Sequence, residues 1–193
     1  HCDSIVMDKI KIAHELGRPV DGHAPGLKGD DAKRYIEAGI STDHECFTLD
    51  EALDKVKNGM KILIREGSAA KNYEALHPLI KSHPDMVMFC SDDKHPNDLV
   101  KGQIDRLVAR SIAYGYDLFD VLNAACVNPV RHYGLDVGQL RVGDPADLIV
   151  VDNLTDFKVQ QTYIDGRLVA DGGKSLIERV EASIVNNFNT SRK

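Results

Sequence analysis

Apolar residues along the first two thirds of the chain follow two patterns that alternate. Helical spacing, with apolar positions three or four residues apart, predicts helices over residues 4–16, 31–38, 49–57, 72–80, 104–112 and 117–125. Short apolar runs lie between the first five of these helical stretches, and they predict strands at 19–23, 40–43, 61–65 and 86–90. Thr48 and Glu51 match a capping box, in which each side chain bonds the other residue's amide at a helix start.

Four repeats of strand and helix predict an α/β fold with parallel strands, either closed as a barrel or open as a doubly wound sheet. The runs at 62–64 and 86–90 are continuously apolar, which is typical of sheets covered on both faces. No GxGxxG turn follows a strand, so nothing supports a dinucleotide-binding fold. A complete eight-stranded barrel takes roughly 250 residues, so four units amount to about half of one.

The pattern changes after Pro129. Strands are predicted at 147–151, 159–164 and 168–169, and Asp165-Gly166 is a strong hairpin signal because both residues tolerate positive φ. We therefore divide the chain into an α/β part over residues 1–135, a β segment over 136–182 and a polar tail over 183–193.

Composition narrows the class of protein. The 193 residues carry a net charge of −6 and are 42% apolar, and no Lys/Arg-rich run occurs, which argues against a nucleic acid or an anionic membrane as partner. No apolar stretch reaches the ~20 residues of a membrane span, and no signal peptide is evident, so we expect a cytoplasmic protein. The chain starts with His1 rather than Met, which suggests a piece of a longer or processed protein.

The four cysteines are scattered without a CxxC pair, so neither a disulfide framework nor a thiolate zinc site is predicted. We expect Cys2, Cys46, Cys90 and Cys126 to be reduced and mostly buried thiols.

Polar residues concentrate where the four predicted strands end. His23 follows the first strand, His44 the second, Arg65 and Glu66 the third, and Asp92 the fourth. Because parallel strands deliver their carboxyl ends to one shared edge, these side chains are expected to converge. Two imidazoles and a carboxylate would suit zinc, iron or manganese with a position left for water.

Each of these residues also has a structural interpretation. A histidine at a strand end can be a hydrogen-bonded structural residue, Asp92 and Asp93 can cap the next loop, and Arg65 and Glu66 can form a surface ion pair instead of contacting a substrate. The structural interpretation is favoured for His14, His77, His83 and His132, which lie in helical patterns or near turns. His95 lies three residues after Asp92 and is expected to border the same edge.

The strand-end segments together closely resemble the bacterial adenine deaminase family of the amidohydrolase superfamily. The segments are VDGHAPG at 20–26, GISTDHE at 39–45, IREGSAA at 64–70 and FCSDDKHP at 89–96. Residues 124–135 and GDPADLIV at 143–150 resemble the return of that superfamily from its barrel to a small β-sandwich. The similarity extends over nearly the whole chain, in the same order.

The resemblance implies a partial TIM-like (β/α) barrel, consisting of strands five to eight, followed by a β-sandwich segment. In this family a His-x-His pair after the first strand helps to build a two-metal centre, and no His-x-His occurs in these residues. The family's further C-terminal region is also expected to be missing. By carry-over His23, His44 and Asp92 are metal ligands, and the resemblance favours Mn²⁺ or Fe²⁺ over Zn²⁺.

The implied reaction is hydrolytic deamination of adenine to hypoxanthine and ammonia, in purine salvage or catabolism. A metal-bound hydroxide would attack C6, and Asp92, as the catalytic residue, would carry the proton to the leaving nitrogen. Arg65, Glu66 and Ser68 are candidates to bind the purine edge. Asp93 and His95 are candidates to orient Asp92 or the leaving group.

Two alternatives remain open. One is a cyclic-amide hydrolase of the same superfamily, similar to dihydroorotase or hydantoinase, although the residues 65–68 favour the deaminase. The other is that this polypeptide is an inactive half-barrel assembly module, since half the expected ligands are missing. A half-barrel has two unpaired strand edges, so a homo-oligomer or a missing N-terminal half is expected as partner.

Overall fold

The computed structural model describes residues 3–181, 183 and 185. Its helices are α1 (Ser4–Glu15), α2 (Gly29–Glu37), α3 (Leu49–Lys57), α4 (Tyr73–Leu76), α5 (Leu79–Ser82), α6 (Pro96–Leu99), α7 (Ile104–Ala113), α8 (Leu118–Leu122) and α9 (Asn128–Tyr133). Its strands are β1 (Asp21–Gly22), β2 (Thr42–Asp43), β3 (Lys61–Arg65), β4 (Val87–Cys90), β5 (Leu148–Val151), β6 (Val159–Ile164), β7 (Arg167–Asp171) and β8 (Lys174–Ser175). Much of the predicted polar tail over 183–193, together with Cys2, lies outside the described residues.

The first four strands form a parallel sheet in the order β1-β2-β3-β4, which confirms the predicted α/β class. Gly22 pairs with Asp43, and Asp43 pairs with Ile62. β1 and β2 are only two residues long, shorter than predicted, whereas β3 has the predicted bounds. Ile62 and Ile64 on β3 and Val87 on β4 are fully buried, and Met88 on β4 is almost fully buried.

Helix α3 begins with half of the predicted capping box. The Thr48 hydroxyl accepts a hydrogen bond from the Glu51 amide at 3.2 Å, as expected. The Glu51 carboxylate, however, accepts from the amides of Phe47 and Gly26 and from the Lys55 ammonium. The prediction that the Glu51 side chain bonds the Thr48 amide is therefore wrong, because Phe47, Gly26 and Lys55 donate to that carboxylate instead.

The helix predicted over 72–80 is divided into α4 and α5. Pro78 lies between them, and its missing N–H removes a helical hydrogen bond. The helix capped by Asp117 is also interrupted, since a π-helical turn (Asn123–Val127) follows α8 and continues into α9. α9 ends at Tyr133, and the next residue, Gly134, has a φ of 60°, a left-handed conformation suited to glycine.

A second sheet follows, antiparallel in the order β5-β6-β7-β8. The predicted hairpin is confirmed, because Asp165 and Gly166 have φ of 48° and 73° between β6 and β7. Phe157, just before β6, is buried in the same core cluster as β3 and β4, so this segment packs on the α/β part.

Most of the buried apolar residues form one core between the parallel sheet and helices α3, α4, α5 and α7. Of the three described cysteines, Cys46 is buried, Cys90 is half-buried and Cys126 is exposed, so the expectation of mostly buried thiols is wrong for Cys126. Burial, followed by the nearby Asp92 carboxylate, raises the pKa of the Cys90 thiol to about 12, which leaves it protonated and unreactive at neutral pH.

Among the described residues, none of the helices combines the length and the apolar content required to cross a bilayer.

The His77 imidazole generates a prediction for stability. Its Nδ1 lies 2.5 Å from the Tyr116 hydroxyl, and burial lowers its pKa below the ordinary 6.5. The His77 imidazole therefore binds a proton more readily in the unfolded chain than in the folded chain. Its contribution to the free energy of unfolding is fully present above pH ~6.5 and is lost as the pH falls. We expect the free energy of unfolding in urea to decrease from about pH 8 to about pH 5.5.

His77→Gln should reduce this dependence without removing it, because burial also lowers the pKa of His132. An unchanged pH slope in His77→Gln would contradict the assignment.

Candidate metal centre and its surroundings

The pairing of β1 with β2 brings two histidines together. His23 directly follows Gly22 and His44 directly follows Asp43, and Gly22 and Asp43 are opposite each other in the sheet. A Cβ on Gly22 would lie 2.4 Å from the Thr42 carbonyl oxygen, so only glycine permits this approach. The two imidazole rings lie 5.3 Å apart, nearly perpendicular to each other.

Glu45 completes a group of three potential ligands. Its Oε1 lies 3.6 Å from His23 Nδ1 and 3.6 Å from His44 Nε2, and one ligand atom from each residue lies within 4.8 Å of the others. The sequence analysis took His44 as the ligand from the end of this strand and gave Glu45, the next residue, no role. β2 ends at Asp43, so residues 44 and 45 both lie after the strand, where side chains need not alternate between its faces.

Asp92 lies beside this group rather than within it. Its Oδ1 is 4.0 Å from His44 Nε2, and its Oδ2 accepts a hydrogen bond from Arg65 at 2.6 Å. Its φ of 41° is in the left-handed region, which aspartate tolerates better than most residues. The predicted convergence thus includes His23 and His44, with Glu45 as the nearest carboxylate and Asp92 as a neighbour.

Arg65 is buried between the two carboxylates, Glu45 and Asp92. The alternative of a surface ion pair between Arg65 and Glu66 is wrong, because Arg65 is buried and Glu66 pairs with Arg110 at 3.4 Å. Asn72, also missed by the sequence analysis, accepts from the Arg65 amide at 2.7 Å and donates to the His44 carbonyl at 3.1 Å. It therefore fixes the end of β3 relative to the segment that carries His44.

The donor set of His23, His44 and Glu45 suits a divalent transition-metal cation. Ligand atoms that share such an ion at bond lengths of about 2.0–2.2 Å lie roughly 3–3.5 Å apart, close to the two 3.6 Å separations here. One guanidinium against two carboxylates leaves one negative charge, which favours a cation. His23 is largely exposed, with 66% of its side chain accessible, so the group of three potential ligands is open to solvent on the His23 side.

Ser68, Asp93 and His95 form a second cluster. The Ser68 hydroxyl donates to Asp98 at 2.6 Å and accepts from the His95 amide at 2.9 Å. Asp93 accepts from the Ser68 and Ala69 amides, so its carboxylate orders the loop after β3. A Cβ on Gly67 would lie 1.7 Å from the Asp93 carboxylate, which explains a glycine at that position.

Glu66 lines a cleft of about 290 Å³ next to this second cluster. Basic residues dominate the lining, which contains Lys71, Lys94, Lys101 and Arg106 together with Asp98. Hydrogen bonds from Ser68 and then from Lys101 lower the pKa of Asp98 to about 2. Asp98 is therefore charged at neutral pH and holds Ser68 in place.

Asp43, Cys46 and Glu51 also bring ligand atoms within 4.8 Å of one another. Their shared space holds the Lys55 ammonium, 2.6 Å from Asp43 and 2.7 Å from Glu51. Burial opposes charge on both Asp43 and Lys55, but their mutual hydrogen bond lowers the pKa of Asp43 and helps to raise that of Lys55. Burial raises the pKa of the Cys46 thiol, so this group is an internal ion pair with a protonated thiol.

Comparison with known proteins identifies relatives over nearly the whole chain. Residues 3–169 match the model of the amidohydrolase family. The chain is 62% identical to an adenine deaminase of Sulfurovum sp. (strain NBC37-1) and 52% identical to one of Borreliella burgdorferi, in each case over 99% of this chain and 36% of the relative. An adenine deaminase of Salinibacter ruber is 59% identical over 95% of this chain. The chain thus spans about a third of the length of these relatives.

Solved structures share the fold at low sequence identity. A β-aspartyl dipeptidase of Fervidobacterium islandicum AW-1 matches 91% of this chain with a TM-score of 0.66 and 16% identity. An enamidase matches 87% with a TM-score of 0.65 and 18% identity. In these matches the chain covers 54% and 51% of the solved chains.

Replacing Arg65 tests the charge arrangement at the candidate metal centre. In the metal-free protein, Arg65→Met leaves Glu45 buried without its cation, and breaking a buried pair in this way costs about 3–5 kcal/mol of unfolding free energy. Urea unfolding of the complete protein measures this loss. Arg34→Met, which removes an exposed partner of Asp31, is the matched control and should cost at most about 1 kcal/mol.

Equal stabilities of the two variants would show that Arg65 does not compensate a buried charge.

Proposed function

The chain belongs to the amidohydrolase family, and from that premise we propose that the complete protein deaminates adenine by hydrolysis, giving hypoxanthine and ammonia. The observation that carries this proposal is the 52–62% identity to three proteins named adenine deaminase, in an alignment that includes the candidate metal centre. The convergence of His23, His44 and Glu45 at one edge of the parallel sheet supports a hydrolytic centre there.

The strand order supports a partial (β/α) barrel. β1 to β4 lie side by side in sequence order, whereas a doubly wound sheet reverses its order at a switch point. We propose that residues 1–135 supply strands five to eight of a barrel and that residues 136–182 belong to a β-sandwich. Within the described residues β1 and β4 each have one neighbour, so the rest of the protein or a second copy is the proposed partner at these edges.

His23, His44 and Asp92, the ligands expected from the sequence, are the proposed ligands of a divalent cation, and Glu45, 3.6 Å from both imidazoles, is a further proposed ligand. Mn²⁺ or Fe²⁺ is the proposed ion, Zn²⁺ would also suit the donors, and a two-metal centre is proposed for the complete protein. Such a cation supplies a nucleophilic water at neutral pH by lowering the pKa of that water.

Asp92 is the proposed proton carrier. Its side chain is 36% accessible, and Arg65 holds one of its oxygens, so the carboxylate is both oriented and open to a substrate. When water adds across the N1=C6 bond of adenine, one of its protons ends on N1, and Asp92 would accept the other and deliver it to the exocyclic nitrogen. The bond between C6 and the exocyclic nitrogen then breaks, the added oxygen becomes the C6 carbonyl of hypoxanthine, and the nitrogen leaves as ammonia.

Glu66 and Ser68 are proposed to bind the purine edge. Arg65 was expected to share that role, but it is buried and its guanidinium is bound to Glu45 and Asp92, so we propose that it orients those two carboxylates. Glu66 lines the cleft beside the site, and Ser68 and Asp93 order the loop between them. His95 would contribute by its backbone amide, which donates to Ser68.

Activity measurements on the complete protein test the function. We expect ammonia and hypoxanthine from adenine, and no ring opening of dihydroorotate or hydantoin. His44→Ala should lower kcat/KM for adenine by at least about 10²-fold and reduce the bound metal, because a ligand in the half-buried part of the site is lost.

The matched control is His83→Ala, since His83 lies at the end of α5 and bonds its neighbour Ser82. Its activity and metal content should equal those of the wild type. Ring opening of a cyclic amide without ammonia release from adenine would refute the proposal and support the cyclic-amide hydrolase.

The isolated 193-residue chain is expected to show no turnover and weak or no metal binding. A ligand that binds only the native state stabilises it by RT ln(1 + [L]/Kd), or about 2.7 kcal/mol at 100 times Kd. Mn²⁺ at about 100 times its Kd for the complete protein should therefore leave the thermal unfolding of the isolated chain almost unchanged. Deamination of adenine by this chain alone would overturn the expectation.

A further inference from the structure

A buried lysine lies directly behind the candidate metal centre. The Lys55 side chain is 1% accessible, and its ammonium donates to Asp43 Oδ2 at 2.6 Å, to Glu51 Oε1 at 2.7 Å and to the Ala24 carbonyl at 2.6 Å. These three oxygen acceptors match the three protons of the ammonium, and Cys46 Sγ is a longer contact at 3.6 Å. We call Lys55, Asp43 and Glu51 the Lys55 triad.

The two carboxylates of the Lys55 triad bind the backbone of both segments that carry the candidate ligands. Asp43 Oδ1 accepts from the Ala24 amide at 3.1 Å and from the Glu45 amide at 3.0 Å. Ala24 follows His23, and Glu45 is itself a candidate ligand. A single carboxylate oxygen therefore joins the end of β1 to the end of β2.

Glu51 repeats this arrangement slightly farther from the sheet. Its Oε1 accepts from the Gly26 amide at 2.7 Å, and its Oε2 accepts from the Phe47 amide at 3.2 Å. Segments 23–26 and 44–47 are thus each held at two amides, one bound to Asp43 and one to Glu51. Lys55 lies between these two buried carboxylates, offsets one of their two negative charges and so reduces their mutual repulsion.

We propose that Lys55 is a positioning residue of the hydrolytic centre, which acts through Asp43 and Glu51 to hold His23, His44 and Glu45 at the separations that bind a cation. The inference rests on the proposed function, because it assigns a role towards the same centre. Lys55 touches neither the imidazoles nor the Glu45 carboxylate in its hydrogen bonds, so its effect is transmitted through the backbone of the two segments.

A purely structural role would not require this choice of residues. Replacing a buried ion pair by apolar side chains of similar volume is often neutral or stabilising. Apolar side chains cannot bind amides, however, whereas the Lys55 triad accepts from four amides and donates to one carbonyl. The arrangement is therefore suited to fixing the two segments relative to each other, beyond burying apolar surface.

The experiment compares Lys55→Met with wild type in the complete protein. We expect faster hydrogen–deuterium exchange of the amides in segments 23–26 and 44–47, measured without metal, and a Kd for Mn²⁺ raised about 10–100-fold, the usual effect of losing a group that orients ligands. Isothermal titration with Mn²⁺ alone gives the affinity of the folded protein.

Leu79→Ala is the matched control for lost stability. Leu79 is fully buried in the core on α5, so its truncation destabilises the fold without removing a hydrogen bond of the Lys55 triad. We expect the Leu79→Ala protein, at a temperature where it is folded, to keep the wild-type Kd for Mn²⁺. Lys57→Met, at the end of the same helix α3, controls for loss of a positive charge.

Glu51→Gln keeps the proposal testable if Lys55→Met does not fold. Glu51 uses different oxygens for Gly26 and Phe47, and the amide side chain replaces one of these acceptors by a donating NH2, so at least one of the two amides loses its acceptor while Asp43 remains bound to Lys55. Exchange should then increase at residue 26, at residue 47 or at both, but much less at 24 and 45, and the Kd for Mn²⁺ should rise less than in Lys55→Met.

The outcomes separate this inference from the proposed function. If the variants of the Lys55 triad match Leu79→Ala in both Mn²⁺ affinity and exchange of the two segments, Lys55 has no positioning role. If the wild-type protein fails to deaminate adenine but loses Mn²⁺ affinity on Lys55→Met, the proposed function is wrong while the positioning role stands.

Discussion

The candidate centre depends on the close pairing of two very short parallel strands. β1 and β2 contribute only two residues each, yet the Gly22–Asp43 pair sets His23 and His44 side by side. The absence of a side chain at Gly22 permits that approach, since a Cβ would overlap the Thr42 carbonyl. Two residues of backbone pairing supply little stability, so other contacts must maintain the register.

Two buried cationic side chains, Lys55 and Arg65, make those contacts. Lys55 holds the buried Asp43 and Glu51 carboxylates beneath the paired segments, and Arg65 holds Glu45 and Asp92 at the neighbouring strand ends. Each cation is buried and shared between two acids, which costs desolvation but gives directional bonds in a region of low dielectric. Acidic groups can therefore crowd at one edge of the sheet without a net repulsion that would separate the segments.

Much of this arrangement follows from the sequence, and the exceptions have identifiable causes. Periodicity predicted β3 and β6 with their observed bounds, and placing polar residues at strand ends brought His23, His44, Arg65 and Asp92 into one neighbourhood. Glu45 was missed because one ligand was sought at each strand end and His44 was taken for β2, whereas in the structure the next residue along the chain joins the same group. The partners of Glu51 were missed because Gly26, 25 residues away, comes near it only in the folded chain. Local pattern cannot reveal a contact that tertiary packing creates.

The predicted site residues form two groups that differ in whether their hydrogen bonds lead to the buried sheet or to neighbouring loops. His44 and Glu45 are attached to the buried sheet through Asn72 and Asp43, which suits ligands whose separations must stay constant. Ser68, Asp93 and His95 instead belong to exposed or half-exposed loops joined by side-chain-to-amide bonds, beside an open basic cleft. Loops bound to one another in this way can adjust to a substrate without disturbing the ligands, because few of their hydrogen bonds extend into the sheet. Hydrogen bonds to the buried sheet are thus concentrated at His44 and Glu45, whereas Ser68, Asp93 and His95 are bound mainly within their own loops.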